Sequence, residues 1–328
     1  MESLPMIGWF AFTYLSLLLY VVVLVSIVRH RNDKHLNSSF FVISLSLGVS
    51  EVLSTIFIHF FQIWPKFGFL LDAFYLKLVK GYFALMCDQW NWALINVQSY
   101  TIFLATVNRT TSIVFPSVYV KIFNRKNTIA MCLSIWIITA LIFSPIAFLT
   151  VSRYVDNRGN PDGNITQAMC SMESKTVQFV YVFFISFVQL VVSVVGLVLY
   201  GSVITVILAQ KFRAQRNRRI LVPVEVRLSM TIFFQVVLYA ANCIVVYLGY
   251  FIYPDKHHIF IEISYITGDV TAMSTPYFLL FFSSRLRRAL VEGLARQPKP
   301  SVVRTPAIRF SQSRSSHFVS ATVKLTEA

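Results

Sequence analysis

Seven apolar stretches divide this chain, each long enough to cross a lipid bilayer. A spanning helix needs about 20 mostly apolar residues. By that rule the candidate spans are 7–28, 39–63, 82–107, 128–150, 177–208, 228–252 and 259–282. The chain is 56% hydrophobic and only 13% charged, where soluble domains carry about 25% charged residues. The expected fold is therefore an all-α membrane protein. It is a bundle of seven transmembrane helices filling residues 1–295, followed by a basic tail at 296–328 that lacks apolar periodicity and is expected to be disordered. Spans three and seven are the most polar, as befits helices that face a bundle interior.

The net charge of +15 invites a nucleic-acid reading, but the cations lie in the loops and tail. With the N-terminus outside, 22 Lys and Arg fall in the inner segments and 7 in the outer ones. Positive residues accumulate in the cytoplasm, so the N-terminus is expected outside and the tail inside. Asn164-Ile165-Thr166 is a glycosylation sequon in the second outer loop and agrees with that orientation. The sequons at Asn37 and Asn108 fall inside and are expected unmodified. The start, Met1-Glu2-Ser3-Leu4, has no basic n-region and no cleavage site follows, so the first run is expected to stay as a helix. Four cysteines, Cys87, Cys132, Cys170 and Cys243, are too scattered for a zinc site or a disulfide scaffold. After Phe282, Leu286, Leu290 and Leu294 share one face of a short amphipathic helix expected to lie on the inner leaflet.

The end of span three reads Asn108-Arg109-Thr110-Thr111-Ser112-Ile113-Val114-Phe115-Pro116, followed by Tyr119, Lys121 and Ile122. This resembles the cytoplasmic end of helix three in G-protein-coupled receptors, whose common pattern is Asp-Arg-Tyr with Ile and Pro at the spacings of Ile113 and Pro116. Its form is most similar to nematode serpentine chemoreceptors, closest to class gamma, with class V a near relative. The resemblance extends over roughly 10–295. It implies a chemosensory receptor that binds a small extracellular chemical and activates a heterotrimeric G protein. It also implies no cofactor, no enzymatic activity, and a place in the plasma membrane, that of sensory cilia included.

Residue by residue, the resemblance implies G-protein coupling through Asn108, Arg109, Pro116, Lys121, Lys211 and Arg213. Asn108 stands where the family has an acid, so it cannot form the family's ionic lock. Glu51, in Leu47-Gly48-Val49-Ser50-Glu51, stands at the family's sodium-site acid, and Thr275-Pro276 stand where many receptors have Asn-Pro. These form the expected inner polar network. Trp136 and Pro145 fit the spacing of span four. The interior prolines of spans five and six and the Cys-Trp-x-Pro motif are absent. Cys87 and Cys170 match the bond that pins the second outer loop to helix three, although Cys87 lies one helical turn deeper than usual.

Intramembrane polar groups face an interior or a wet cavity, which makes Asp88, Asn91, Gln98, Tyr265 and Asp269 the candidate ligand-binding residues. Asn91 stands where amine receptors carry an aspartate, so its neutral amide argues against monoamines. Asp269 stands where opsins carry the retinal lysine; span seven has no lysine, so a Schiff base is excluded. Two readings of Asp269 stay open, a cavity-lining group or a hydrogen-bonded structural acid. Pockets of this kind suggest a mostly apolar or weakly polar ligand. The alternative function is a multi-span transporter or channel for a small solute. It predicts related halves with paired Gly- or Pro-broken helices; the sequence shows no such internal repeat, and an odd number of spans fits it poorly. Metal-ligand spacing and nucleophile constellations are also missing, with His257-His258 adjacent and in an outer loop.

Overall fold

The computed structural model describes residues 3–31, 33, 36, 38–68, 74–75, 82–145, 152–156, 168–172, 174–215, 224–253 and 257–295. Seven long helices form in them: α1 Ser3–Arg29, α2 Ser39–Ile58, α3 Tyr82–Val114, α4 Arg125–Phe143, α5 Lys175–Gln215, α6 Val224–Tyr247 and α7 His257–Phe282. An eighth, α8, covers Ser284–Ala295. Five stretches are long and apolar enough to cross a membrane: Ile7–Arg29, Ser39–Lys66, Arg125–Phe143, Thr176–Ile207 and Arg227–Tyr247. They coincide with α1, α2, α4, α5 and α6. The two long helices outside that group, α3 and α7, carry the polar residues.

Burial follows this division. Leu15, Leu18, Val25, Leu133, Ile137, Phe179, Phe183 and Val198 are exposed on α1, α4 and α5. Apolar side chains turned outward on helices whose backbone bonds are internal are what a bilayer requires. Inside, α2 packs on α3, α6 on α7, and α5 on both α3 and α6. The main core joins Phe40, Ile43, Leu47, Ile102, Tyr200, Val236, Tyr239, Cys243 and Leu279. Cys132 and Cys243 are free thiols in that core.

Two helices end in a wider turn. α2 runs into the π-turn His59–Ile63 and the short helix Trp64–Lys66, and α6 into the π-turn Leu248–Ile252. Between α4 and α5 the chain is not helical. β1 Ser152–Asp156 and β2 Ala168–Met172 pair antiparallel, with Tyr154 opposite Cys170. Both strands contact α3. This ribbon is a feature that an all-helical reading of the sequence lacks.

At the other end, Arg287 Nη1 donates to the carbonyls of Leu280 (2.8 Å) and Phe281 (2.6 Å). These are carbonyls that the end of α7 leaves without an intrahelical partner. Ser283 Oγ then accepts from Leu286 N at 3.2 Å and starts α8. Leu286 and Ala289 are buried while Arg285, Arg287 and Arg288 face outward, so α8 is amphipathic. It packs against α1 and α7.

Candidate functional site

A cavity of about 450 Å³ opens among α2, α3, α5, α6 and α7. Of the expected ligand residues, Asn91, Gln98, Tyr265 and Asp269 line it, and Glu51 joins them. The side chain of Asp88 lies outside the described residues. The wall is more polar than the sequence suggests: Gln62, Asn91, Gln98, Gln178, Gln189 and Asn242 bring six carboxamides. Asn91 is 5% exposed, and its Oδ1 has no hydrogen-bond partner. Gln98 Nε2 donates to Ser50 O at 3.3 Å.

Asp269 is 3% exposed and bridges α7 to two other helices. Its Oδ2 accepts from Trp9 Nε1 at 2.9 Å and Thr13 Oγ1 at 3.3 Å on α1, and meets His59 Nε2 at 2.8 Å in the π-turn after α2. His59 Nδ1 lies 3.2 Å from Tyr14 Oη, which accepts from Trp64 Nε1 at 2.8 Å. The widened turn places His59 and Trp64 on this network. The two readings of Asp269 are therefore not exclusive: one oxygen ties helices together while the residue also faces the cavity. Near Tyr265, Lys66 Nζ lies 5.9 Å from the ring centroid and 2.7 Å from Glu262 Oε1.

Deeper along the bundle, Glu51 Oε2 accepts from Tyr20 Oη, and Glu51 Oε1 from Thr275 Oγ1 at 3.1 Å. Gln235 Nε2 donates to the same threonine oxygen at 2.5 Å. The structure thus joins Glu51 and Thr275, and ties α1, α2, α6 and α7 together. Pro276 follows within α7.

At the opposite end of α3 from the cavity, the helix continues to Val114, past the predicted limit of 107. Arg109 is consequently inside the helix and only 4% exposed, where the sequence places it at a helix end with access to water. Its guanidinium stacks 4.3 Å from the Phe40 ring centroid, and Nε and Nη2 donate to Asn108 Oδ1 at 3.3 and 3.0 Å. Asn108 Nδ2 donates to Ser39 Oγ at 3.0 Å, and Ser39 Oγ pairs with Tyr119 Oη at 2.7 Å. Tyr119 comes from a short helix, Pro116–Ile122, on which Pro116 and Lys121 are exposed.

The family model described as "Serpentine type 7TM GPCR chemoreceptor Srv" matches residues 9–296. The chain belongs to that family. It is a GPCR-type chemosensory receptor and a multi-pass membrane protein. The match is to Srv, class V; it does not support the preference for class gamma drawn from the motif at Asn108. No curated protein matches the chain.

Within this Srv receptor several expected residues fall outside what is described. The side chains of Cys87, on α3, and Cys170, on β2, are among them, although β2 itself contacts α3. Lys211 and Arg213 lie on the last turns of α5 with undescribed side chains, and Asn164 lies wholly outside. Trp136 Nε1, noted for its place in span four, donates to Ser46 Oγ at 3.0 Å. Sequence reading passed over His59, Trp9, Thr13 and Tyr14. His59 carried a signal, since an ionisable residue in an apolar span is functional by default.

Proposed function

We propose that this Srv receptor binds a small extracellular chemical in the cavity and relays its presence to a heterotrimeric G protein at the end carrying Arg109. One observation carries the reading. The cavity reaches Glu51, whose hydrogen bonds join α1 and α7, and through Thr275 reach α6. A ligand that binds one arrangement of those helices better than another shifts the population by that difference. The coupling surface is formed around Asn108 and Arg109 with Pro116, Lys121, Lys211 and Arg213. In this reading the N-terminus is outside, the receptor sits in the plasma membrane, a Cys87–Cys170 bond fastens the ribbon to α3, and Asn164 carries the glycan. Placement in sensory cilia rests on resemblance to the family alone.

The test is expression in a heterologous cell with a chemical panel, read by nucleotide exchange on co-expressed G proteins. An activating chemical is expected to lose its effect when Gln98 and Asp269 are both substituted, at unchanged surface level. A chemical that drives solute flux through the protein and no nucleotide exchange would overturn the receptor mechanism in favour of transport.

A further inference from the structure

The described donors at Asp269 all converge on one of its two carboxylate oxygens. Trp9 Nε1, Thr13 Oγ1 and His59 Nε2 each reach Oδ2. The order of donors behind His59 is consistent with a neutral imidazole. An indole N–H only donates, so Trp64 gives its proton to Tyr14 Oη. Tyr14 then has its own hydroxyl proton to give to His59 Nδ1, leaving Nε2 to donate to Asp269. With His59 in that neutral tautomer, Asp269 is a carboxylate held by three neutral donors; a protonated His59 would pair with it across the same 2.8 Å. Lys66, the cation near Tyr265, is engaged by Glu262. No described bond uses Asp269 Oδ1, and the residue lines the cavity.

A second group points the same way. Asn91 lines the same cavity, is 5% exposed, and has an unpartnered Oδ1, which accepts and cannot donate. Among the described lining residues there are two carboxylic side chains and no Lys, Arg or His. A buried carboxylate without a counter-charge is costly, and a cation with N–H donors relieves the cost. The neutral amide at Asn91, which argues against an amine at that position, does not argue against one at Asp269.

We propose that the cavity takes a small organic cation bearing N–H donors, of the ammonium, amidinium or guanidinium class. Asp269 is its counter-ion and Asn91 accepts one of its hydrogen bonds. This rests on the cavity being the ligand site.

The test needs no natural ligand. A Cβ added at Gly268, which lines the cavity beside Asp269, meets nothing within 4 Å. The full-length Gly268→Cys receptor in detergent is treated with 2-aminoethyl methanethiosulfonate, a cation, or 2-sulfonatoethyl methanethiosulfonate, an anion. Labelling of the introduced thiol is followed by mass spectrometry, with the parent chain as blank and each rate divided by that of 2-mercaptoethanol. The cation is expected to be favoured about tenfold or more, as in a cleft of one charge sign. Asp269→Asn is expected to lower that preference and Asn91→Asp to raise it. Equal or anion-favouring rates in Gly268→Cys, or labelling by neither reagent, would overturn the proposal even if Asp269→Asn fails to fold. So would a preference that Asp269→Asn leaves unchanged. Cation selectivity in a protein that activates no G protein removes the signalling mechanism and leaves this proposal standing. A signalling receptor without cation selectivity does the reverse.

Discussion

Asn108 stands between Arg109 and the first turn of α2. Its oxygen accepts from two guanidinium nitrogens while its nitrogen donates to Ser39. A carboxylate in its place turns the guanidinium–amide contact into an ion pair, and accepts from the Ser39 hydroxyl instead of donating to it. If this cluster holds the resting arrangement, Asn108→Asp is expected to lower ligand-independent signalling, measured as basal nucleotide exchange per surface receptor. A rise in basal exchange would mean that the cluster belongs to the active arrangement. The burial of Arg109 also changes what its truncation does. An arginine reaching water tolerates replacement by alanine, but a buried one leaves Asn108 Oδ1 without its donors, at about 1–3 kcal/mol. Arg109→Ala is therefore expected to reduce surface level as well as coupling, which surface labelling separates from nucleotide exchange. The polar residues of spans three and seven stood out in the sequence because water-seeking groups are conspicuous in apolar helices. Their partners did not. His59 and Asp269 are 210 positions apart, and Trp9 and Asp269 are 260 apart, so no local pattern joins them.

Apolar length made the helices legible, since a stretch that must satisfy its own backbone in lipid has little choice but to coil. The departures from plain α-helix were not legible. The π-turns at His59–Ile63 and Leu248–Ile252 insert no apolar break, and the five-residue strands β1 and β2 are too short to show a period. Yet these departures position the site: the first π-turn carries His59, and the second brings α6 against α7. Gly249 lies in the second turn, where an added Cβ meets Phe260 Cβ at 2.4 Å and Phe260 Cα at 3.7 Å. The stem of a side chain cannot swing aside as a flexible tip can. Gly249→Ala is expected to cost about 1–3 kcal/mol through overpacking. Gly268→Ala, whose added Cβ meets nothing within 4 Å, is expected to be neutral or slightly stabilising, because alanine is the better helix former. Thermal unfolding of the two purified variants compares them directly. Equal midpoints would show that α6 and α7 separate easily at this turn.

For the whole molecule, the direction of insertion fixes which end meets the ligand and which meets the G protein. Charge argues for the N-terminus outside, with 22 Lys and Arg on the tail side against 7 on the other. A glycan reports the same choice independently, because N-glycans mark the outer side. Three sequons are present, at Asn37, Asn108 and Asn164. Asn108 is no candidate in the folded receptor: it is fully buried within α3 and hydrogen-bonded to Ser39 and Arg109, and a glycan on its nitrogen is incompatible with that packing. The decision lies between Asn37, in the segment joining α1 to α2, and Asn164, in the segment joining β1 to β2. The described elements beside them are at opposite ends of α2: Ser39, at its start, meets Asn108, while β2 contacts the π-turn and short helix that follow its end. One glycan is expected, removable by glycosidase and lost in Asn164→Gln. Retention in Asn164→Gln together with loss in Asn37→Gln would invert the bundle. The cavity would then face the cytoplasm and Arg109 the exterior, and neither ligand entry nor G-protein coupling would stand as proposed.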